Sequence, residues 1–307
     1  MTLDDLREAQ HGLRGVAERT PLVPLDSTTR LKAEYLQPIH AFKIRGAWTA
    51  LRRLSPDARA RGVVTSSSGN HGLGVAYAAR RLGVRAVVVM PESATGVKID
   101  GIRALGAEVL LVGKTRGPEQ TAAAERLAQD DGLALIPPFD YPDVIAGQGT
   151  VGMEILEDWP EVDTIVVPVG GGGLIAGISC AVRALKPGVT VIAAEPALVP
   201  KLSAAIQHGK PTAIPVGTSL ADGLLSKSIG QVTWPLIRET VREAITVTED
   251  QIVAAVRWLA ARDMRVEPSG AVTTAAWLSH RDRMHGNIAL VCTGGNVDPA
   301  RYAELVA

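Results

Sequence analysis

Short apolar runs that alternate with segments of helical length recur along most of this chain of 307 residues. The runs are rich in Val, Ile, Leu and Ala and lie at 63–65, 86–89, 109–112, 164–169, 189–193 and 287–292. Apolar strands without a polar face belong to parallel sheets that helices cover on both sides. The pattern therefore predicts an α/β protein whose ligands bind at the carboxyl ends of the strands.

The composition excludes several classes of protein. Lys plus Arg and Asp plus Glu both number 32, and aromatic residues make up 4%. A balanced charge argues against binding nucleic acid or an anionic membrane, and few aromatics argue against base stacking. The two cysteines, Cys180 and Cys292, exclude a disulfide scaffold. Six histidines without paired spacing give no metal site.

The start of the chain is charged, unlike a signal peptide, and the longest uncharged stretch covers 164–182. Pro168 and a run of glycines interrupt that stretch, which we interpret as a strand, a loop and a helix rather than a membrane span. The expected location is the cytoplasm.

The strongest local signal is a run of four glycines that directly follows an apolar strand and precedes a helical segment: Gly170, Gly171, Gly172 and Gly173. A backbone without Cβ atoms can aim several N–H groups at one point, and the helix adds its positive end. The run therefore predicts an anion cradle, with phosphate as the favoured ligand. It has neither the Lys-Ser/Thr of a P-loop nor the spacing of a dinucleotide fingerprint. The alternative is a flexible surface loop.

Two further segments each allow two interpretations. The loop 65–72 has the sequence TSSSGNHG and offers hydroxyls, an amide and N–H groups that suit a carboxylate, but it also fits a Ser-rich helix cap. Lys43 lies between Phe42 and Ile44. A desolvated lysine has a lowered pKa and can form a Schiff base, whereas a lysine at a helix surface usually extends to solvent.

Taken together, these segments resemble the fold type II pyridoxal-phosphate (PLP) enzymes, and most of all their serine/threonine dehydratase and serine racemase group. The resemblance runs from Thr20 to Asp298, and its motifs occur in the family's order at 42–47, 67–72, 146–150, 170–173, 221–224, 248–250, 267–270 and 293–296. It implies a two-domain fold like that of tryptophan synthase β. The large PLP-binding domain would comprise 1–52 and 142–307, and the small domain 53–141.

The resemblance also implies roles in binding the cofactor. Lys43 would be the Schiff-base lysine and a proton carrier, and the glycine run would bind the phosphate. Asn70 would hydrogen-bond the ring hydroxyl, and Thr293 would face the pyridine nitrogen. The remaining residues implied to line the cofactor are Phe42, Gly223 and Glu267.

The substrate carboxylate would be held by Ser67, Asn70 and His71, according to the same resemblance. Ser68 matches the serine that acts as acid and base on the opposite face in the racemases. Because Thr293 is an alcohol and not a carboxylate, we expect β-elimination rather than transamination.

The activity implied is dehydration of a small β-hydroxy amino acid, L-threonine or L-serine, to a 2-keto acid and ammonia, by a homodimer. The alternatives in the same family are 3-hydroxyaspartate or phenylserine as substrate, racemisation of serine, and a β-replacement synthase. A PLP-binding protein without turnover and a nucleotide-binding oxidoreductase are the alternatives outside it. No regulatory domain is expected after residue 298.

Four features depart from the family's pattern, and one is the short stretch between Leu22 and Lys32, which indicates a trimmed hairpin near the N-terminus. His40 and Ala41 stand where many relatives have Gly-Ser, so that His40 either shapes substrate choice or fills a crevice. Thr293 replaces a serine and keeps the hydroxyl. Lys201 stands six residues after Glu195, where metal-activated relatives have a carboxylate. We expect its ammonium group to replace the divalent cation; the alternative is that Lys201 extends to solvent.

Overall fold

The computed structural model describes residues 1–67, 69–94, 96–215 and 217–307. Its strands, in chain order, are β1 (Leu22–Pro24), β2 (Thr29–Ala33), β3 (Val63–Ser66), β4 (Ala86–Met90), β5 (Glu108–Leu111), β6 (Ala134–Leu135), β7 (Thr164–Pro168), β8 (Thr190–Pro196), β9 (Ala244–Val247) and β10 (Ile288–Cys292). Its α-helices are α1 (Leu3–Gly12), α2 (Lys43–Arg53), α3 (Pro56–Arg61), α4 (Asn70–Leu82), α5 (Gly96–Ala104), α6 (Pro118–Asp130), α7 (Pro142–Asp158), α8 (Gly173–Leu185), α9 (Lys201–His208), α10 (Thr233–Ile237), α11 (Glu249–Ala260), α12 (Pro268–Ser279) and α13 (Pro299–Val306).

The strands form two sheets. The larger has the order β1-β2-β10-β7-β8-β9, and the smaller has the order β5-β4-β3-β6. All neighbouring strands are parallel except β1 and β2, which form an antiparallel pair. The predicted α/β class with parallel sheets between helices is confirmed.

The predicted apolar runs form the central strands. Every residue of β4, β7 and β10 is buried, as expected for strands that helices cover on both faces. The strand β5 is the exception, because it lies at the edge of the smaller sheet and is largely exposed. The uncharged stretch 164–182 forms β7, a loop and most of α8. Within the described residues, no helix is both long and apolar enough to cross a membrane.

Close backbone contacts at glycines set the distances between the helices α2, α7 and α8. A Cβ atom at Gly177 of α8 would lie 2.5 Å from the backbone nitrogen of Gly149 in α7. A Cβ at Gly147 of α7 would lie 2.4 Å from the carbonyl oxygen of Arg45 in α2. The three helices therefore pack backbone against backbone, and the first turn of α2 is held tightly against α7.

The smaller sheet uses strands between residues 63 and 135, and the larger uses strands before and after them. The helix α2 packs against both α4 and α7. The domain limits at 52/53 and 141/142 remain a prediction.

Candidate active site

The residues singled out in the sequence meet in one cavity between the two sheets. It lies beyond the carboxyl ends of β3, β7 and β10, as expected for parallel sheets. Its lining includes these predicted site residues: Phe42, Lys43, Ser67, Asn70, His71, Gly170, Gly171, Gly172, Gly173, Gly223, Glu267 and Thr293. The predicted acid/base residue Ser68 lies outside the described residues.

Lys43 opens helix α2, and its side chain reaches into the cavity. The preceding residue, Phe42, is held in place because its backbone N–H donates to the carbonyl oxygen of Thr293 at 3.1 Å. The Lys43 amine donates to the carbonyl oxygen of Pro138 at 2.7 Å. Burial, and secondly the charge of Arg116, lower the pKa of Lys43 to about 8. The amine therefore has an appreciable unprotonated, nucleophilic fraction near neutral pH, which is what attack on an aldehyde requires. Lys43 is not a lysine that extends to bulk solvent.

The glycine run forms a tight loop before α8, and side chains would not fit there. Gly172 has φ +99°, in the left-handed region that favours glycine. A Cβ at Gly171 would lie 2.3 Å from ring atoms of Phe139, and one at Gly173 would lie 3.0 Å from the Phe139 carbonyl oxygen. Thr233 Oγ1 donates to the carbonyl oxygen of Gly171 at 3.0 Å. The backbone is thus fixed beside the start of α8, whose free N–H groups and positive end suit a phosphate.

Asn70 and Glu267 form the opposite wall. Asn70 Nδ2 donates to Glu267 Oε1 at 2.6 Å. Burial, and secondly the charge of Asp222, raise the pKa of Glu267 to about 8. Glu267 is therefore mostly protonated and uncharged at neutral pH, and it adds no negative charge to the cavity.

The start of α4 offers donors for an anion, but the ring of His71 does not. His71 Nε2 lies 3.0 Å from the carbonyl oxygen of Ile136, so it must carry the proton. Burial, and secondly the charge of Lys43, lower the pKa of His71 to about 3, which leaves Nδ1 as an acceptor. What His71 can offer a carboxylate is its backbone N–H, which like that of Asn70 has no partner within the helix. The Ser67 hydroxyl accepts from the Gly72 N–H at 3.1 Å and shapes this turn.

Sequence reasoning missed three charged residues at the mouth of the cavity. Lys98 Nζ contacts Asp222 Oδ2 at 2.7 Å, and Arg116 Nη1 donates to the Asp222 carbonyl oxygen at 3.1 Å. Lys98 lies in α5 and Arg116 follows β5, so both belong to the part of the chain that forms the smaller sheet. Asp222 comes later in the chain, after β8 of the larger sheet. The available signals were the position of Arg116 after the carboxyl end of a parallel strand and the place of Asp222 within the family motif at 221–224.

Thr293 directly follows β10 and lines the cavity. Its Oγ1 lies 3.5 Å from the carbonyl oxygen of Ser269. Ser269 Oγ in turn accepts from the Gly223 N–H at 2.9 Å. Both hydroxyls therefore lie at the same wall of the cavity. His40 does not line this cavity, and its side chain is exposed.

Lys201 does not extend to solvent, so that alternative is wrong. Its side chain is fully buried, and its amine lies 3.8 Å from Glu195 Oε2 and 3.0 Å from the carbonyl oxygen of Val199. Burial lowers the pKa of Lys201 to about 8, while Glu195 opposes that shift. At neutral pH a buried ammonium group accompanies the Glu195 carboxylate.

Residues 13–294 match the family described as pyridoxal-phosphate dependent enzyme. An L-threonine ammonia-lyase of Thermotoga maritima is 42% identical over 97% of this chain and 76% of its own length. An L-threo-3-hydroxyaspartate ammonia-lyase of Saccharomyces cerevisiae is 35% identical over 100% of this chain and 96% of its own. The solved structure of maize serine racemase superposes with a TM-score of 0.93 at 34% identity, and covers 99% of this chain and 96% of that one.

Proposed function

The chain belongs to the family of pyridoxal-phosphate-dependent enzymes, and on that premise we propose that it dehydrates L-threonine or L-serine to a 2-keto acid and ammonia. The observation that carries this proposal is the shared cavity of a lysine with a lowered pKa and a glycine loop that fits a phosphate. These are the two groups needed to hold an aldehyde that carries a phosphate. The L-threonine ammonia-lyase similar to this chain supports the reaction.

The residues present fit the cofactor. Lys43 would hold its aldehyde carbon, and the N–H groups of the loop from Gly170 to Gly173 would hold its phosphate. Asn70 would donate to its ring oxygen, and Thr293 would face its ring nitrogen through a hydroxyl. When bound, pyridoxal phosphate supplies an electron sink that stabilises negative charge at the substrate Cα.

The chain's own groups would orient the substrate and move its protons. The Ser67 turn and the first N–H groups of α4 would hold the α-carboxylate. Once free, the Lys43 amine would take the proton from the substrate Cα, because its lowered pKa leaves a base available near neutral pH. The hydroxyl of Thr293 gives the ring nitrogen no full negative charge to pair with, which favours loss of the β-hydroxyl over transamination.

The charges of the cavity favour a substrate with an uncharged side chain. Apart from Lys43, which the cofactor would occupy, its described lining includes two cationic side chains, Lys98 and Arg116, and one carboxylate, Asp222, that is not buried. Glu267 and His71 are mostly uncharged at neutral pH. A bound phosphate brings a charge of about −1.5 to −2 and leaves a small net negative charge in the cavity. A zwitterionic amino acid leaves that charge unchanged, whereas a second carboxylate would increase it.

The test is a panel of β-hydroxy amino acids in both enantiomers, with keto acid and ammonia measured together. We expect L-threonine and L-serine to release both products and Lys43→Ala to release neither. If the protein prefers 3-hydroxyaspartate or phenylserine, the reaction stands but the proposed substrate is wrong. If L-serine gives D-serine and no keto acid, the proposed reaction is wrong and the protein is a racemase, as the name of the similar maize protein states. A bound cofactor with no product from any substrate would reject the proposed enzyme.

The resemblance also supports a homodimer in the cytoplasm with the two domains given above. Light scattering of the purified protein should give about twice the chain mass of 32.3 kDa; a monomer at working concentration would reject the dimer.

A further inference from the structure

A chain of amide groups runs behind Asn70, and the proposed function does not use its outer member. Asn296 Nδ2 donates to the Ile39 carbonyl oxygen at 2.8 Å and to Asn70 Oδ1 at 2.8 Å. Asn70 Nδ2 then donates to Glu267 Oε1 at 2.6 Å. Asn296 does not itself line the Lys43 cavity within the described residues.

The Ile39 carbonyl sets the donor-to-acceptor direction of this series of hydrogen bonds. A carbonyl oxygen only accepts, so the atom of Asn296 that faces it must be the NH₂ group. The same NH₂ group faces Asn70, so the facing atom of Asn70 must be Oδ1. The NH₂ group of Asn70 is thereby turned towards Glu267 and the cavity.

Only one of the two hydrogens on Asn70 Nδ2 is used by a described residue, namely by Glu267. Asn70 lines the cavity, so the second hydrogen can be offered to an oxygen of a bound ligand. If the carboxamide were reversed, Asn70 would offer an acceptor there instead. A carboxamide reverses its hydrogen-bonding character by a half-turn about one bond, so something must hold it.

Asn296 is held independently of the ligand by backbone bonds. The Gly295 N–H donates to the His40 carbonyl oxygen at 2.9 Å, and the Glu267 N–H donates to the Gly294 carbonyl oxygen at 3.1 Å. The loop after β10 is therefore tied both to the segment before Lys43 and to the start of α12. Asn296 has a fixed position from which to act on Asn70.

We propose that Asn296 is a positioning residue that holds the Asn70 carboxamide with its NH₂ group towards the cofactor ring oxygen. The inference rests on the proposed function for the identity of the ligand. It adds that the donor character of Asn70 is imposed by Asn296 from outside the cavity.

The test compares Asn296→Asp with Asn296→Leu in the purified enzyme with bound cofactor. Asp has nearly the shape of Asn but presents only acceptors when ionised, so it should repel Asn70 Oδ1 and reverse the carboxamide. Leu removes the NH₂ donor of Asn296 but puts no acceptor in its place. The readouts are the absorbance spectrum of the bound cofactor and its dissociation constant. Asn287→Asp is the matched control, because Asn287 donates to the Glu161 carbonyl oxygen at a place outside the cavity.

We expect Asn296→Asp to weaken cofactor binding about tenfold, the usual size for one hydrogen bond to a charged partner, and to shift the absorbance maximum. Asn296→Leu should do the same to a smaller extent, and Asn287→Asp should do neither. If Asn296→Asp does not fold, an unshifted spectrum for Asn296→Leu overturns the inference and a shifted one supports it. A larger effect of Leu than of Asp means that Asn296 only fills space, and also overturns it. A failure of the proposed function is separate, since it appears in the wild type as a normal spectrum without keto acid.

Discussion

The Lys43 amine lies 2.7 Å from the carbonyl oxygen of Pro138 and donates a hydrogen bond to it. This bond joins the first residue of α2 to the segment between β6 and α7, which also carries Phe139 beside the glycine loop. The nucleophile and the phosphate cradle are thereby fixed with respect to each other before any ligand binds.

The rate at which the cofactor-free protein takes up pyridoxal phosphate should rise with pH through a midpoint of about 8. Only the unprotonated amine attacks, and the pKa of Lys43 is lowered to about 8. Stopped-flow absorbance between pH 6 and pH 10 measures the midpoint. Because the charge of Arg116 contributes to the lowering, Arg116→Gln should move the midpoint upwards. A midpoint near the ordinary lysine value, or a downward move in the variant, contradicts the assignment.

Replacement of Gly171 by Ala should weaken cofactor binding, while a comparable replacement elsewhere should have no effect. The new Cβ would lie 2.3 Å from the Phe139 ring, so either the loop or the ring has to move. We expect at least a tenfold rise in the dissociation constant of the cofactor, measured by fluorescence titration. Gly188→Ala is the matched control, because a Cβ there meets nothing within 4 Å. Equal binding by the two variants would show that the loop is not the cradle.

Glu267→Gln should gain stability relative to the wild type as the pH rises from about 5 to 8. The pKa of Glu267 is raised to about 8 in the folded protein, above the ordinary 4.5 of the unfolded chain. The folded state therefore holds the proton more strongly, and this contribution is complete below 4.5 and lost on the way to 8. Each pH unit in this interval is worth up to about 1.4 kcal/mol.

Urea unfolding of the cofactor-free proteins at several pH values measures this difference. Glu125→Gln supplies the control, since it removes a carboxyl group that is exposed rather than buried. A pH-independent difference for Glu267→Gln would mean that Glu267 is ionised in the folded protein.

Removal of divalent cations should leave turnover unchanged. The buried ammonium group of Lys201 already lies 3.8 Å from the Glu195 carboxylate, which in turn accepts from the Leu202 N–H at 2.9 Å. Keto acid release should be equal after dialysis against a chelator and after addition of Mg²⁺. A loss with the chelator that Mg²⁺ restores would contradict the role assigned to Lys201.

The sequence pattern alone was sufficient for the strands β3, β4, β5, β7, β8 and β10 and for two loops of the cavity, for a physical reason. A run of four glycines after a buried strand leaves few conformations, and parallel strands bring their carboxyl ends to one edge. The glycine run and the loop before α4 were therefore predicted to be at such an edge, whereas the role of Lys43 was implied by the family resemblance, and the structure brings all three together.

Other features depended on tertiary contacts that local patterns do not encode. The position of Arg116 beside Asp222 requires two segments more than a hundred residues apart to meet. The uncharged state of the His71 ring depends on burial and on the Ile136 carbonyl. For Lys201 the sequence allowed both a role beside Glu195 and extension to solvent, and its burial beside Glu195 excludes the second.

The most direct test of the account is to identify the amine that holds the cofactor. The purified protein, saturated with pyridoxal phosphate, is reduced with borohydride, digested and analysed by mass spectrometry. We predict a single pyridoxyl-modified peptide that contains Lys43, and no such peptide from Lys43→Ala. Modification of a different lysine in the wild type, or of none, would contradict the central claim.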